Sequence, residues 1–151
     1  MEHIVRSSRT FGYLVGDYAG PQGSNRFVCA LANLFRSRFG WDIGPENIAL
    51  GNGSQMVFTI LFRFFSGKFA DGQHKQIFLP ISPEYIGYNE ADEEKLRFRS
   101  VRPKIIENSD STFKYEIDFS KIHISDDIGA ICISRPTNPT GNVVTDEEVR
   151  N

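Results

Sequence analysis

The stretch that decides the fold is IGAICISRPTNPTGN, residues 128–142. Its first part, Ile128–Ile133, is an uninterrupted apolar run, which predicts a strand buried on both faces of a parallel sheet. The polar part that follows contains two prolines, two asparagines and one glycine, which is typical of a stiff turn. Ligands of parallel sheets bind beyond the carboxyl ends of the strands. The loop is therefore either a plain turn or a rigid holder for the amide of Asn138.

Helical and strand patterns alternate along the rest of the chain. The predicted helices run from Ser24 or Asn25 to Gly40, over Met56–Phe65, and from the capping box of Thr145 and Glu148. Short helices are predicted at SPEYIGY, with Pro83 in the first position, and at DFSKIHI. Strands are predicted at NIAL, QIFLP, LRFRSVRP and TFKYEI. The helix over Met56–Phe65 is apolar on nearly every side, which predicts burial. This order predicts an α/β three-layer sandwich with a mostly parallel sheet.

Composition excludes several function classes. A net charge of −2 over 151 residues argues against nucleic-acid binding. No apolar run approaches the roughly 20 residues that cross a bilayer, and the opening residues are not expected to be a secretory signal. The histidines are isolated, which predicts no metal site. Two distant cysteines, Cys29 and Cys132, are expected to be free thiols in the reducing cytoplasm.

The loop GNGSQ, residues 51–55, precedes a predicted helix. Backbone N–H groups and the helix dipole point toward the same place at a helix start, which favours an anion such as phosphate. Ser54 and Gln55 add polar side chains there, although a tight turn capped by Ser54 explains the residues equally well. Met56 occupies the third glycine position of a dinucleotide fingerprint, which argues against that motif.

The segment PEYIGY, residues 83–88, places Tyr85 just beyond a predicted strand. An aromatic ring at this position stacks on a flat cofactor or closes the end of the core. From the residues alone, closing the core is the favoured interpretation.

Four segments in this order resemble the fold type I pyridoxal-phosphate-dependent aminotransferases. They are YAGPQG, WDIGPENIALGNGSQ, PEYIGY and SRPTNPTGNVVTDEE. The resemblance is strongest to the branch that acts on branched-chain and small aliphatic amino acids, converting valine and pyruvate into 2-oxoisovalerate and alanine. It implies amino-acid and keto-acid substrates, pyridoxal 5'-phosphate as the cofactor, and a cytoplasmic homodimer with shared active sites.

The resemblance also assigns roles to residues. Gly53, Ser54 and Gln55 are expected to hold the cofactor phosphate, and Tyr85 to stack on the pyridine ring. Asn138 is expected to hydrogen-bond the phenolic oxygen of the ring, and the Asn138–Pro139 peptide to be cis. Tyr18 is expected to reach the phosphate in the neighbouring subunit. Arg135 is left with two interpretations, a salt bridge or a contact at the substrate opening.

Three catalytic groups of the family lie downstream of NPTGN and have no counterpart here. They are the Schiff-base lysine, the acidic partner of the pyridine nitrogen and the arginine that binds the substrate carboxylate. The resemblance therefore implies that residues 1–151 are an inactive part of the large cofactor-binding domain. On this reading the N-terminal arm, the lysine region and the C-terminal small domain are absent. A lyase of the same fold and a truncated non-catalytic partner subunit remain alternatives.

Overall fold

The computed structural model describes residues 16, 18, 20–91 and 97–151. The chain divides into two compact units, Met1–Asn52 and Gly53–Asn151. The α-helices are α1 (Asn25–Phe39), α2 (Ser54–Phe65) and α3 (Asp146–Arg150). The strands are β1 (Gly67–Lys68), β2 (His74–Leu79), β3 (Phe98–Ser100), β4 (Lys104–Glu107), β5 (Phe113–Glu116) and β6 (Ile128–Ile131). Short 3-10 helices span Pro45–Asn47, Ile86–Ala91 and Phe119–Lys121.

Helix α1 of the first unit confirms the predicted helix. Ser24 is its N-cap, and Gly40 ends it with φ at 67°, a left-handed conformation that glycine adopts at little cost. The side of the helix that is buried carries Val28 and Ala32. The larger predicted face is only partly buried, because Phe27, Leu34 and Phe39 are exposed.

The strand predicted over Asn47–Leu50 is wrong. Pro45 begins a 3-10 helix, and the Gly44 N–H donates to Asn47 Oδ1 over 2.8 Å. These contacts draw Asn47 into a helical turn. Leu50 instead donates its N–H to the Gln22 carbonyl over 2.9 Å. Turn chemistry of proline and asparagine outweighs the short apolar run here.

The main sheet of the second unit is built around β2. This strand pairs in parallel with β3 on Ile77–Leu79 and with β6 on Gln76–Phe78, and antiparallel with the short β1. Strands β4 and β5 form a separate antiparallel pair. The predicted α/β class with a mostly parallel sheet is confirmed.

One face of α2 packs on this sheet. Phe62 is 4% exposed, and its ring meets Tyr88 and Phe98 edge-on at 5.1 and 5.0 Å. The prediction that α2 is buried all round is wrong, because Ile60 and Phe64 are 57% and 71% exposed. Only one side of the helix faces the sheet, and no described element of the second unit covers the other.

Strand β6 also differs from its prediction. Ile131 is 54% exposed, because β6 pairs only with β2 among the described strands and so lies at an edge. Gly129 of this strand passes very close to α2. A Cβ built on it would lie 1.7 Å from the carbonyl oxygen of Phe65. Glycine is therefore required where the edge strand crosses the end of the helix.

The remaining predictions are largely confirmed. The short helix predicted from Pro83 begins instead at Ile86, and Pro83 lies in the bend before it. Half-buried β3 falls within LRFRSVRP, and β5 within TFKYEI. The capping box of α3 forms as predicted, with Thr145 Oγ1 accepting from the Glu148 N–H. In the described part of the chain, no helix is long and apolar enough to cross a membrane.

Candidate functional site

Two loops leave the sheet at the same end of its strands. The β2 loop (residues 80–88) follows β2, and the β6 loop (residues 132–142) follows β6. Because the two strands are parallel and paired, both loops start at their carboxyl ends. The Cys132 N–H extends the ladder by donating to the Phe78 carbonyl over 3.0 Å. The two loops singled out in the sequence are therefore neighbours.

Hydrogen bonds join the two loops beyond the strands. The N–H of Ser134 donates to Glu84 Oε2 over 3.1 Å. The hydroxyls of Tyr88 and Ser134 share a bond of 2.9 Å. The Tyr88 hydroxyl is protonated at neutral pH, and burial raises its pKa further, to about 12. The loops thus have a fixed relative position.

The start of α2 reaches the β2 loop. Gly53 precedes the helix with φ at 88°, which is strained for any other residue. The Gln55 side-chain amide donates to the Gly87 carbonyl over 2.9 Å. This bond holds the β2 loop, and the assignment of Gln55 to the cofactor phosphate stays a prediction. Backbone N–H groups of the first helical turn have no acceptor within the helix, so the start of α2 retains its preference for an anion.

A cavity of about 160 Å³ lies between α2 and the β2 loop. Its lining comprises Ser54, Gln55, Phe58, Thr59, Phe62, Tyr85, Gly87 and Tyr88. The cavity is therefore lined both by a helix start and by aromatic rings. A ligand that combines an anionic group with a flat ring requires both.

Tyr85 is half-buried and lies over Gly87. A Cβ built on Gly87 would be 2.4 Å from Cε1 of the Tyr85 ring. The ring also meets Tyr88 edge-on at 5.3 Å. Tyr85 therefore has a rigid support on one side and a cavity beside it. The sequence analysis did not single out four residues of this site, Glu84, Gly87, Tyr88 and Ser134. Of these, only Gly87, a glycine between aromatic residues, has a local signal in the sequence.

Asn138 is exposed on the β6 loop and lies outside the lining of this cavity. Its peptide bond to Pro139 is cis, as predicted. The preceding Thr137 is buried, donates its N–H to the Asn142 carbonyl over 2.9 Å, and donates its hydroxyl to the Ser134 carbonyl over 3.0 Å. The backbone around Asn138 is therefore firmly held.

Two further residues have a defined place. Arg135 forms a salt bridge with Asp146, which is the first of the two interpretations given for it. Tyr18 lies in the first unit with a fully exposed side chain. The cavity belongs to the second unit.

Comparison with known proteins finds relatives that agree with one another. The chain is 51% identical over 133 residues to valine–pyruvate aminotransferase of Escherichia coli K12, covering 88% of this chain and 32% of that protein. No family model matches the chain.

Two crystal structures agree with this. Valine–pyruvate aminotransferase from Salmonella typhimurium LT2 is 44% identical with a TM-score of 0.77, over 99% of this chain and 37% of that one. A putative amino-acid aminotransferase from Psychrobacter arcticum 273-4 is 39% identical with a TM-score of 0.84, over 99% and 38%. The chain thus spans about a third of the length of these relatives. In sequence and in fold, over the residues it contains, the chain is similar to the fold type I aminotransferases.

Proposed function

We propose that these residues bind pyridoxal 5'-phosphate in an aminotransferase of the valine–pyruvate type. The observation that carries the proposal is that Ser54, at the start of α2, and Tyr85, beyond β2, line one cavity. A helix start favours a phosphate, and an aromatic ring favours a flat heterocycle. The residues present therefore fit the two ends of this cofactor.

The phosphate is assigned to the start of α2. The positive φ of Gly53 turns the chain sharply into the helix. Because the residue is glycine, it places no side chain in front of the helix. The Ser54 hydroxyl and the N–H groups of the first turn provide neutral donors. Gln55 is proposed to hold the phosphate with them, and its amide also holds Gly87 and so the β2 loop.

The ring is assigned to Tyr85 and Asn138. Tyr85 would cover one face of the ring and exclude water from it. The amide of Asn138, on the loop beside it, would donate to the phenolic oxygen. The bound cofactor supplies an electron sink for negative charge at the substrate α-carbon.

The substrates proposed are those of the similar enzymes, an amino acid and a keto acid, with valine and pyruvate as the pair. Tyr18 is proposed to reach the phosphate bound by a second copy of the chain in a cytoplasmic homodimer. Its full exposure is compatible with that role. None of the lysines in this chain is proposed to carry the cofactor.

A titration with pyridoxal 5'-phosphate followed by borohydride reduction tests this proposal. We expect saturable binding to the 151-residue chain without a covalent lysine adduct. If the reading frame continues beyond residue 151, the longer protein should form the adduct and transfer the amino group from valine to pyruvate. If either protein fails to bind the cofactor saturably, the proposal is contradicted. A stoichiometric adduct on the 151-residue chain would contradict the assignment of its lysines.

A further inference from the structure

We propose that Glu84 is a positioning residue that fixes the β6 loop, which carries Asn138, relative to the ring of Tyr85. The inference rests on the proposed function, since it takes these two residues as the ones that hold the cofactor ring. Glu84 itself is not assigned to contact the cofactor.

The two carboxylate oxygens of Glu84 accept hydrogen bonds from backbone on different loops. Oε2 accepts from the Ser134 N–H over 3.1 Å, on the β6 loop. Oε1 accepts from the Tyr85 N–H over 3.3 Å, on the β2 loop. Hydrogen bonds to a charged acceptor are stronger than neutral ones. Because both donors are main-chain groups, breaking either bond lets the backbone move, not only a side chain.

Ser134 passes this constraint on to Asn138. Its carbonyl accepts from the hydroxyl of Thr137 over 3.0 Å, and Thr137 is 3% exposed. Thr137 directly precedes Asn138. A shift of Ser134 would therefore carry the backbone before Asn138 with it.

The hydroxyls of Tyr88 and Ser134 form a second link between the loops. This link is neutral, since both partners are uncharged. Glu84 differs because one side chain contacts the backbone of both loops. Its removal is therefore expected to disturb the relative placement of Tyr85 and Asn138 even while the Tyr88 bond persists.

Four forms of the chain test the proposal: wild type, Glu84→Ala, Glu84→Gln and the control Glu107→Ala. Glu107 is an exposed carboxylate in β4, outside the site. Affinity for pyridoxal 5'-phosphate is measured at a temperature where all forms are folded, together with amide hydrogen exchange at Ser134. Glutamine retains one acceptor oxygen but loses the charge.

We expect Glu84→Ala to weaken cofactor binding about tenfold, the size of one charged hydrogen bond. Glu84→Gln should lose less, and Glu107→Ala should equal wild type. Exchange at Ser134 should accelerate in the same order. Unchanged affinity in a folded Glu84→Ala chain would overturn the proposal while leaving the proposed function intact. If that variant does not fold, Glu84→Gln decides by the same criterion. Absence of saturable binding to wild type would overturn both.

Discussion

The side-chain amide of Gln55 donates a 2.9 Å hydrogen bond to the backbone carbonyl of Gly87. This bond joins the start of α2 to the β2 loop, so the proposed phosphate and ring positions depend on one another. A side-chain donor at residue 55 is necessary for the bond.

Replacing Gln55 by glutamate tests this connection. The carboxylate cannot donate to the Gly87 carbonyl, and it adds a negative charge beside the proposed phosphate. We expect Gln55→Glu to lower the free energy of unfolding by about 1 kcal/mol and to weaken binding of pyridoxal 5'-phosphate. Gln73→Glu, which makes the same charge change at an exposed turn, should leave binding unaltered. Equal affinities for the two variants would contradict the assignment of the helix start.

A methyl group at Gly87 should displace the ring of Tyr85. The added Cβ would meet the far end of that ring at 2.4 Å, and the ring can rotate away. We therefore expect Gly87→Ala to reduce cofactor affinity about two- to tenfold, the usual size of an aromatic contact, with little change in Tm. Tyr85→Phe keeps the ring and should keep the affinity. A large fall in Tm for Gly87→Ala would instead indicate that Gly87 is needed for folding.

Sequence patterns identified the elements whose signals are local. The 3.6-residue periodicity of α1 and α2, the apolar run of β6 and the capping box of α3 all depend on neighbours in the chain. Burial was predicted less well, because exposure of Phe64 and Ile131 depends on which elements are close in space. The prediction over Asn47–Leu50 failed because a side-chain hydrogen bond of Asn47 competed with a weak strand pattern.

In the candidate site, too, residues with a local sequence signal differ from contacts between residues far apart in the chain. Gly53 and Ser54 could be selected because glycine before a helix is a local signal. Tyr85 was assigned to the cofactor by the family resemblance, since the residues alone favoured closing the core. The bonds of Glu84 to Ser134 and of Gln55 to Gly87 join residues far apart in sequence. Neither bond has a periodic or compositional signature, so a single sequence does not reveal them.

Gly129 provides a test of the fold that is independent of the site. Its built Cβ lies 1.7 Å from a backbone atom of α2, which cannot rotate away as a side chain would. We expect Gly129→Ala to destabilise the chain by at least about 1–3 kcal/mol in urea unfolding. Gly20→Ala, where a Cβ meets nothing within 4 Å, should have little effect. Equal stabilities would contradict the crossing of β6 and α2.

Acid should weaken the fold through Glu148. Burial favours a higher pKa, but hydrogen bonds from the Thr145 N–H, Lys114 and the Ile117 N–H together lower the pKa of Glu148 to about 2. A carboxyl whose pKa is lower in the folded state stabilises above its unfolded pKa, and this contribution is lost as the pH falls. We therefore expect the free energy of unfolding to decline from about pH 4.5 toward pH 2.

Asp118 should act in the same direction. Hydrogen bonds from Lys121 and Ser120 lower its pKa to about 2. Urea titrations at several pH values should show a smaller decline for Glu148→Gln than for wild type. The exposed control Glu107→Gln should follow wild type. A decline of equal size in Glu148→Gln would show that this carboxyl does not stabilise the fold.

The most direct measurement of the central claim is a residue-resolved NMR titration with pyridoxal 5'-phosphate, using pyridoxal as the control that lacks the phosphate. If the start of α2 and the β2 loop form one cofactor site, saturable shifts will concentrate at Ser54 and Tyr85. The same residues should then respond far more weakly to pyridoxal. Equal responses to both compounds, or shifts concentrated on the β4–β5 hairpin, would contradict the account.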